Sequence, residues 1–294
     1  MPVSFLTSAQ QESYGRYAAP PSPDELTRFF HLSEDDQALT LSRRGDHNRL
    51  GFALQLTTVR FLGTFLENSM TVPSEIVQTL SRQLGITKSE AIDEYRQGRW
   101  RRQHAAEIRE RFGYRDFSDP AAGFRLARWL CALCWTGTER PSVLFDRAMA
   151  WLLTHKVLLP GLSVLERFIA RLRGRMENRL WRSLGRGTTA EQRARLEGLL
   201  TVPEGSRASG LERLRLSPIS VSGPALVRAL ERLQDVRGLE IRLPATVHVA
   251  PTRLASLARF AGAAKVTSII RLRFCTQFGD VGRLRPLPGS HSPR

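Results

Sequence analysis

Along the chain, apolar residues recur at three- and four-residue spacings, and period-two alternation is almost absent. The richest stretch follows Gly45. Leu50, Ala53, Leu54, Thr57 and Phe61 fall at helical spacing, and Phe52, Leu56 and Val59 widen the stripe. So broad an apolar face predicts a central, buried helix. Arg49 and Arg60 lie eleven residues apart, about three turns, and so share one side of it. Asp46 is placed to cap its start. Upstream, Ser33 precedes "EDDQALTLS" with Asp36 three residues on, the pattern of a capping box.

Helical punctuation continues downstream. Pro73 and Gly85 bracket one helix, and "ITKSEAIDEYRQ" offers a second, shorter one after Gly85-Ile86-Thr87. The pair fits a helix-turn-helix, and equally an ordinary bundle. "RQGRWRRQHAAEIRERFGYRDF" has a narrow apolar side of Ala105, Ile108 and Phe112 and stops at Gly113. Another helix opens near Pro141 and ends before Pro160-Gly161, the best interior boundary. Beyond it, "SVLERFIARLRGRMENRLWRSL" is the cleanest amphipathic helix. Leu165, Phe168, Ile169, Leu172, Met176, Leu180 and Leu184 make one stripe, and Arg167, Arg171, Arg175 and Arg182 another, well rotated from it. "TTAEQRARLEGLL", "SGPALVRALERLQDVRGL" and "PTRLASLARFAGAAKVTSIIRL" supply further helices, and only "LEIRLPATVHV" admits a short extended piece. The last residues lack periodicity and read as a disordered, basic tail. The expected fold is all-α, with two tandem helical domains of helix-turn-helix character. An N-terminal arm over 1–22, domains over 23–160 and 161–273, and a tail over 274–294 make up the chain.

Charge changes the picture most. The 294 residues carry a net charge of +16, and nearly all the positive charge is Arg, the lysines being Lys88, Lys156 and Lys265 alone. Such a field implies nucleic acid, a membrane surface or an acidic protein as partner. The helical pattern favours nucleic acid. Cys131, Cys134 and Cys275 are too few and too odd for a secreted disulfide framework. No secretory signal is visible at the start, and no apolar run approaches the ~18 residues of a membrane span. The expected location is cytoplasmic, and Arg44-Gly45-Asp46 then loses its meaning as a cell-attachment triplet.

Chemistry-bearing groups are sparse. Cys131 and Cys134 form Cys-x-x-Cys without the second pair that a structural zinc needs, which suits buried thiols better than metal or redox work. His31, His47, His104, His155, His248 and His291 are scattered. His47 and His104 neighbour Arg clusters, and each reads either as a phosphate contact or as a solvated or capping residue. Glu107 stands four residues before Arg111, as in a solvated helix pair. No phosphate-binding Gly loop, nucleophile elbow or paired carboxylates appear. No catalytic residue, metal, cofactor or small-molecule substrate is expected.

The Arg clusters remain. Guanidinium groups suit bidentate contact with phosphate and guanine. The candidate DNA contacts are Arg43, Arg44, His47, Arg49, Arg99, Arg101, Arg102 and Arg115 in the first domain and Arg167, Arg171, Arg175 and Arg182 in the second. Trp100 and Tyr114 interleave with them, for stacking on bases or for packing in the core. The Arg face after Pro160 fits DNA contact or a merely solvated helix.

"LSRRGDHNRLGFALQLTTVRFLGTF" resembles the amino-terminal region of the large transposases of Tn-three-type (class II, replicative) transposons. So do "RQGRWRRQHAAEIRERFGYRDF", "ERPSVLFDRAMAWLLTHKVLLPGLSVLERFIARLR" and "LLTVPEGSRASGLERLR", in order and spacing, over approximately Val3 to Arg273. The resemblance implies tandem helical domains that bind the terminal inverted repeats of the element. Strand transfer in such transposases belongs to an RNase-H-like domain far downstream, with three acidic residues and magnesium. The expectation is therefore a DNA-binding portion of a transposase, not an enzyme by itself, with duplex transposon ends as its partner. The alternative is a truncated interaction module that pairs with full-length transposase, or competes for the ends, and inhibits it. After about Arg273 the likeness stops, as a frameshift in a decaying element would produce.

Overall fold

The computed structural model describes residues 5–67, 71–87, 91–98, 100–186, 188–216, 222–241 and 249–270. Its named elements are all helices. They are α1 (Ser8–Ser13), α2 (Pro23–Phe29), α3 (Glu34–Leu41), α4 (Asp46–Leu62), α5 (Ser74–Leu84), α6 (Ala91–Gln97) and α7 (Arg101–Phe112). These are followed by α8 (Pro120–Thr136), α9 (Pro141–Thr154), α10 (Leu162–Gly185), α11 (Ala190–Gly198), α12 (Gly210–Arg215), α13 (Gly223–Gly238) and α14 (Pro251–Ala263). Among the described residues the sole extended pairing is an isolated parallel bridge between Arg115 and Val157. Most of the stretch expected to be extended, residues 242–248, lies outside the described residues, as does the tail over 274–294.

The chain divides into two compact units, one of residues up to 134 with 139–173, the other of 135–138 with 174 onward. The first is built on α4. Every residue from Leu50 to Val59 in that helix is buried. A helix apolar all round must be enclosed, and α2, α3, α5, α6 and α7 pack around it. Its start differs from the expected one. Gly45 is the N-cap, at φ 80°, and makes no side-chain cap hydrogen bond. Asp46 falls inside the first turn and instead faces Arg49 at 3.6 Å. The Ser33–Asp36 capping box forms as expected, with both reciprocal hydrogen bonds.

Side chains satisfy the buried backbone where helices end. Gln83 accepts from the Leu32 N–H and donates to the Phe30 carbonyl, both at 2.9 Å. Gln55, wholly buried, does the same for Leu66, at 3.0 and 3.2 Å. A second cluster in this unit joins α8, α9 and the first half of α10 through Leu126, Leu130, Phe145, Leu152, Leu165 and Ile169. Cys131 and Cys134 pack against that cluster and form no disulfide.

The second unit buries little. Among the described residues its buried apolar side chains are Leu180, Ala225, Val249 and Val266. Local devices hold its helices. Capping boxes at Thr189 and Ser209 start α11 and α12, Arg195 pairs with Glu240 at 2.6 Å, and Arg215 donates to the Ala264 carbonyl at 2.6 Å. No helix among the described residues is long and apolar enough to cross a membrane.

Candidate nucleic-acid interface

The turn between α3 and α4, with the first turn of α4, carries four of the sequence-predicted contacts, Arg43, Arg44, His47 and Arg49. Gly45 sits in the left-handed region, and a Cβ there would come within 2.8 Å of the His47 ring. That close turn folds the cations onto their neighbours. Arg43 forms an ion pair with Glu107 of α7, and its guanidinium lies 4.5 Å over the Phe52 ring. Arg49 donates from Nε to the Arg43 carbonyl at 3.0 Å. His47 Nδ1 lies 3.4 Å from the Glu94 carboxylate. Arg44 is exposed and has no carboxylate within 4 Å among the described residues.

Glu107 therefore does not serve Arg111, as the i,i+4 spacing suggested. It reaches Arg43, sixty-four positions away in sequence. Charge cancellation of this kind is invisible to local spacing.

α7 separates adjacent arginines. Its buried face carries His104 and Ile108, and Arg101 leans on that side, half-buried, with Nη1 enclosed. Arg102 and Arg111 are exposed. Arg109 pairs with Asp116 at 2.8 Å. Arg99 lies outside the described residues. Trp100 is 38% exposed, whereas Tyr114 packs, half-buried, against the cluster of Phe52, Leu56, Val59 and Ile108.

His104 is neither a phosphate contact nor a solvated residue. It is 4% exposed, its Nδ1 lies 3.1 Å from the Tyr95 hydroxyl, and Phe52 meets its ring edge-on at 5.3 Å. Burial pushes its pKa down to about 4, and the nearby Arg43 charge adds to that, against an opposing pull from Glu107. The imidazole is thus neutral at pH 7.

Past α7, the Arg115 N–H donates to the Lys156 carbonyl at 2.9 Å, and the Arg115 carbonyl accepts from Leu158 at 2.8 Å. Its backbone is locked while its side chain is exposed. On α10, Arg167 and Arg171 in the first unit and Arg175 and Arg182 in the second are all exposed. Arg167 and Arg182 turn Nε back to carbonyls of their own helix, at 3.0 and 3.3 Å. The opposite stripe, Leu165, Ile169, Leu172 and Leu180, is buried.

Such a set can grip anions. Among the described residues, no group of three or more His, Cys, Asp or Glu side chains is arranged to hold a metal ion.

Residues 5–172 match the family described as "Domain of unknown function (DUF4158)". The chain belongs to that family. It is also similar to curated transposases. It is 45% identical over 273 residues to the transposase for transposon gamma-delta of Escherichia coli (strain K12), covering 92% of this chain and 27% of that protein. It is 30% identical over 267 residues to the transposase for transposon Tn501 of Pseudomonas aeruginosa, covering 89% and 26%. It is 28% identical over 261 residues to the transposase for transposon Tn1546 of Enterococcus faecium, covering 87% and 26%. The chain spans about a quarter of the length of the curated relatives it matches. The likeness to Tn-three-type transposases that the sequence blocks carry thus extends over most of this chain.

The DUF4158 match ends within one residue of the first compact unit's limit at Arg173. The family segment therefore takes in the first half of α10, with Arg167 and Arg171, as well as the α3–α4 turn and α7. Within it, composition alone does not separate the side chains that face a carboxylate (Arg43, His47, Arg49, Arg109) from those that do not (Arg44, Arg102, Arg111, Arg115). Arg111, which is not among the sequence-predicted contacts, is exposed, and its i,i+4 neighbour Glu107 pairs with Arg43 instead.

Proposed function

We propose that this chain is the DNA-recognising part of a transposase and that it holds duplex DNA at transposon ends without strand-transfer chemistry of its own. Support comes from one observation above all. Exposed guanidinium groups without a carboxylate partner among the described residues (Arg44, Arg102, Arg111, Arg115, Arg167 and Arg171) recur on a chain of net charge +16 related to transposases. Arg175 and Arg182 extend the proposal to the second unit. Arg43, His47 and Arg49 act one step back, bracing the turn that presents Arg44. Helices α5 and α6 are the proposed helix-turn-helix, with α5 closed at Gly85 in the left-handed region.

Phosphate contacts dominate the affinity of such a surface, since each releases condensed counterions, and base contacts add the choice of sequence. A mobility-shift titration over salt tests the reading, with a terminal inverted repeat and a scrambled duplex of equal length. The expected result is tighter binding to the repeat and a steep fall in affinity as salt rises. Equal, salt-insensitive binding to both duplexes, or none, would overturn it. Incubation with magnesium and supercoiled donor plasmid is expected to leave the DNA uncut.

A further inference from the structure

We propose that the pocket between the end of α7, α8 and the segment leaving α9 seats one phosphate group of a nucleic-acid backbone. The inference rests on the DNA-binding reading above and assigns it a specific socket. Arg115, Arg125, His155 and Lys156 line a concavity of about 120 Å³, with Trp151 as a wall and Val157 in its floor. Only Arg115 of these stands out by sequence clustering. The others come from α8 and from the end of α9.

Electrostatics selects the ligand's sign. No carboxylate lines the pocket. The acidic residues closest in sequence are engaged elsewhere. Asp116 holds Arg109 at 2.8 Å, and Asp119 accepts from the Ala121 and Ala122 N–H groups at 2.8 and 3.3 Å where α8 begins. Among the described residues, Arg115, Arg125 and Lys156 have no acidic partner within 4 Å. Converging like charges repel unless an anion sits among them. Arginine forks and a lysine point charge are the usual complement of a phosphate.

The pocket is also built in advance. The Arg115–Lys156 and Leu158–Arg115 backbone hydrogen bonds fix its two sides at 2.9 and 2.8 Å. Lys156 Nζ spends one of its three donors on the Phe112 carbonyl at 3.2 Å. The His155 ring stacks on Trp151 at 3.9 Å between centroids. Its Nδ1 lies 2.8 Å from the Trp151 carbonyl. Only a protonated Nδ1 donates to a carbonyl, so Nε2 is the ring nitrogen left for a ligand. Lys156 holds φ 52°, a left-handed conformation where glycine would be the low-cost residue. A lysine there keeps a charge at the rim.

Size and access narrow the ligand further. Pockets for drug-sized molecules start at roughly 300 Å³, so a nucleoside does not fit inside. Arg115, Arg125, His155 and Lys156 are all exposed, so a phosphate that belongs to a long chain can enter while the rest stays outside. Duplex DNA supplies such a phosphate, and so does free inorganic phosphate, which the experiment separates.

The test uses the full chain with Arg125→Gln, Lys156→Gln and the double variant. Each single variant is expected to weaken duplex binding about 3- to 30-fold and to reduce the slope of log affinity against log salt by about one. Arg125→Lys is expected to restore most of the slope. The altered side chains are exposed, so melting temperatures should stay near the wild-type value in Arg125→Gln and fall by no more than a few degrees where Lys156 loses its hydrogen bond to the Phe112 carbonyl. Ring signals of His155, identified by their loss in His155→Gln, are expected to move on adding duplex at concentrations where inorganic phosphate leaves them in place. Wild-type affinity and slope in the double variant, with Arg102→Ala still weakened, would overturn the socket and leave the DNA reading standing. A chain that ignores duplexes overturns both the DNA reading and the nucleic-acid assignment. His155 shifts with inorganic phosphate alone would then mark a free-phosphate site, and unmoved signals would remove the anion site as well.

Discussion

Both carboxylate oxygens of Asp36 accept hydrogen bonds from the Arg60 guanidinium, each at 2.8 Å. The same carboxylate accepts the Ser33 N–H at 3.1 Å. One acidic side chain therefore closes the capping box of α3 and ties that helix to the last turn of α4. Arg60 also lies 5.4 Å over the Phe112 ring, which brings α7 into the same joint.

Burial of Asp36 alone would raise its pKa. The Arg60 hydrogen bonds, the Ser33 N–H and the Arg60 charge outweigh that, and the carboxyl sits below its usual range. A carboxyl with a depressed folded pKa stabilises the fold fully above its unfolded value, and that stability is lost as pH falls through the folded pKa. Arg60→Ala is expected to cost about 2–4 kcal/mol at pH 7. Arg60→Lys should recover only part of it, because an ammonium cannot fork. Urea unfolding should show the penalty shrinking below about pH 4. A penalty independent of pH would contradict the account.

His104 makes the fold acid-sensitive at a higher pH. Its folded pKa is about 4 against an ordinary value of 6.5. For a base held neutral, stability is complete above 6.5 and drains away as pH falls from 6.5 to 4, since the unfolded chain takes up the proton first. The full loss is about 3 kcal/mol at ~1.4 kcal/mol per unit. Unfolding free energies measured across this window should fall in the wild type and stay nearly flat in His104→Gln. Parallel curves for the two would remove His104 as the cause.

Gly51 is needed for a different reason, the approach of Tyr95. A Cβ at position 51 would stand 2.1 Å from a carbon of the Tyr95 ring, and that ring is 1% exposed. Neither helix α4 nor the ring has room to yield within a close-packed interior. Gly51→Ala should therefore destabilise by about 3 kcal/mol or more, although alanine is the better helix former. Combining it with Tyr95→Ala is expected to cost clearly less than the sum of the two single changes. Additive penalties would mean that the two positions do not meet.

These three sites mark what could be read from sequence. The stripe from Leu50 to Val59 and the Ser33–Asp36 box depend on neighbours within one or two turns, so their spacing carries them. Pairings across the fold leave no such trace. Arg60 finds Asp36 twenty-four positions away and Arg43 finds Glu107 at sixty-four, while Glu107 looks locally like the partner of Arg111. Gly51 has no side chain to show a pattern, and only the position of Tyr95 explains it. Gly45 takes the cap from Asp46 because a left-handed φ, not a side-chain oxygen, sets the turn. The candidate interface was legible as net charge and as the exposed face of α10. Which first-unit cations are already neutralised was not.

Adjacent arginines on α7 give the sharpest test of that distinction. Successive residues of a helix point about 100° apart, and Arg101 and Arg102 fall on opposite sides of the boundary between core and solvent. Arg101 is half-buried with Nη1 enclosed and without a hydrogen-bond partner, whereas Arg102 is exposed. An enclosed guanidinium nitrogen that lacks a partner is costly, and the stem contributes packing that an apolar chain of similar length can replace. Arg101→Met is thus expected to leave stability unchanged or raise it by about 1 kcal/mol, with the salt slope of duplex binding intact. Arg102→Ala should leave the melting temperature alone, weaken binding a few-fold and reduce the slope by about one. Melting curves and salt titrations on the two variants decide the matter. If Arg101→Met loses the slope and Arg102→Ala keeps it, then α7 presents its other side to DNA.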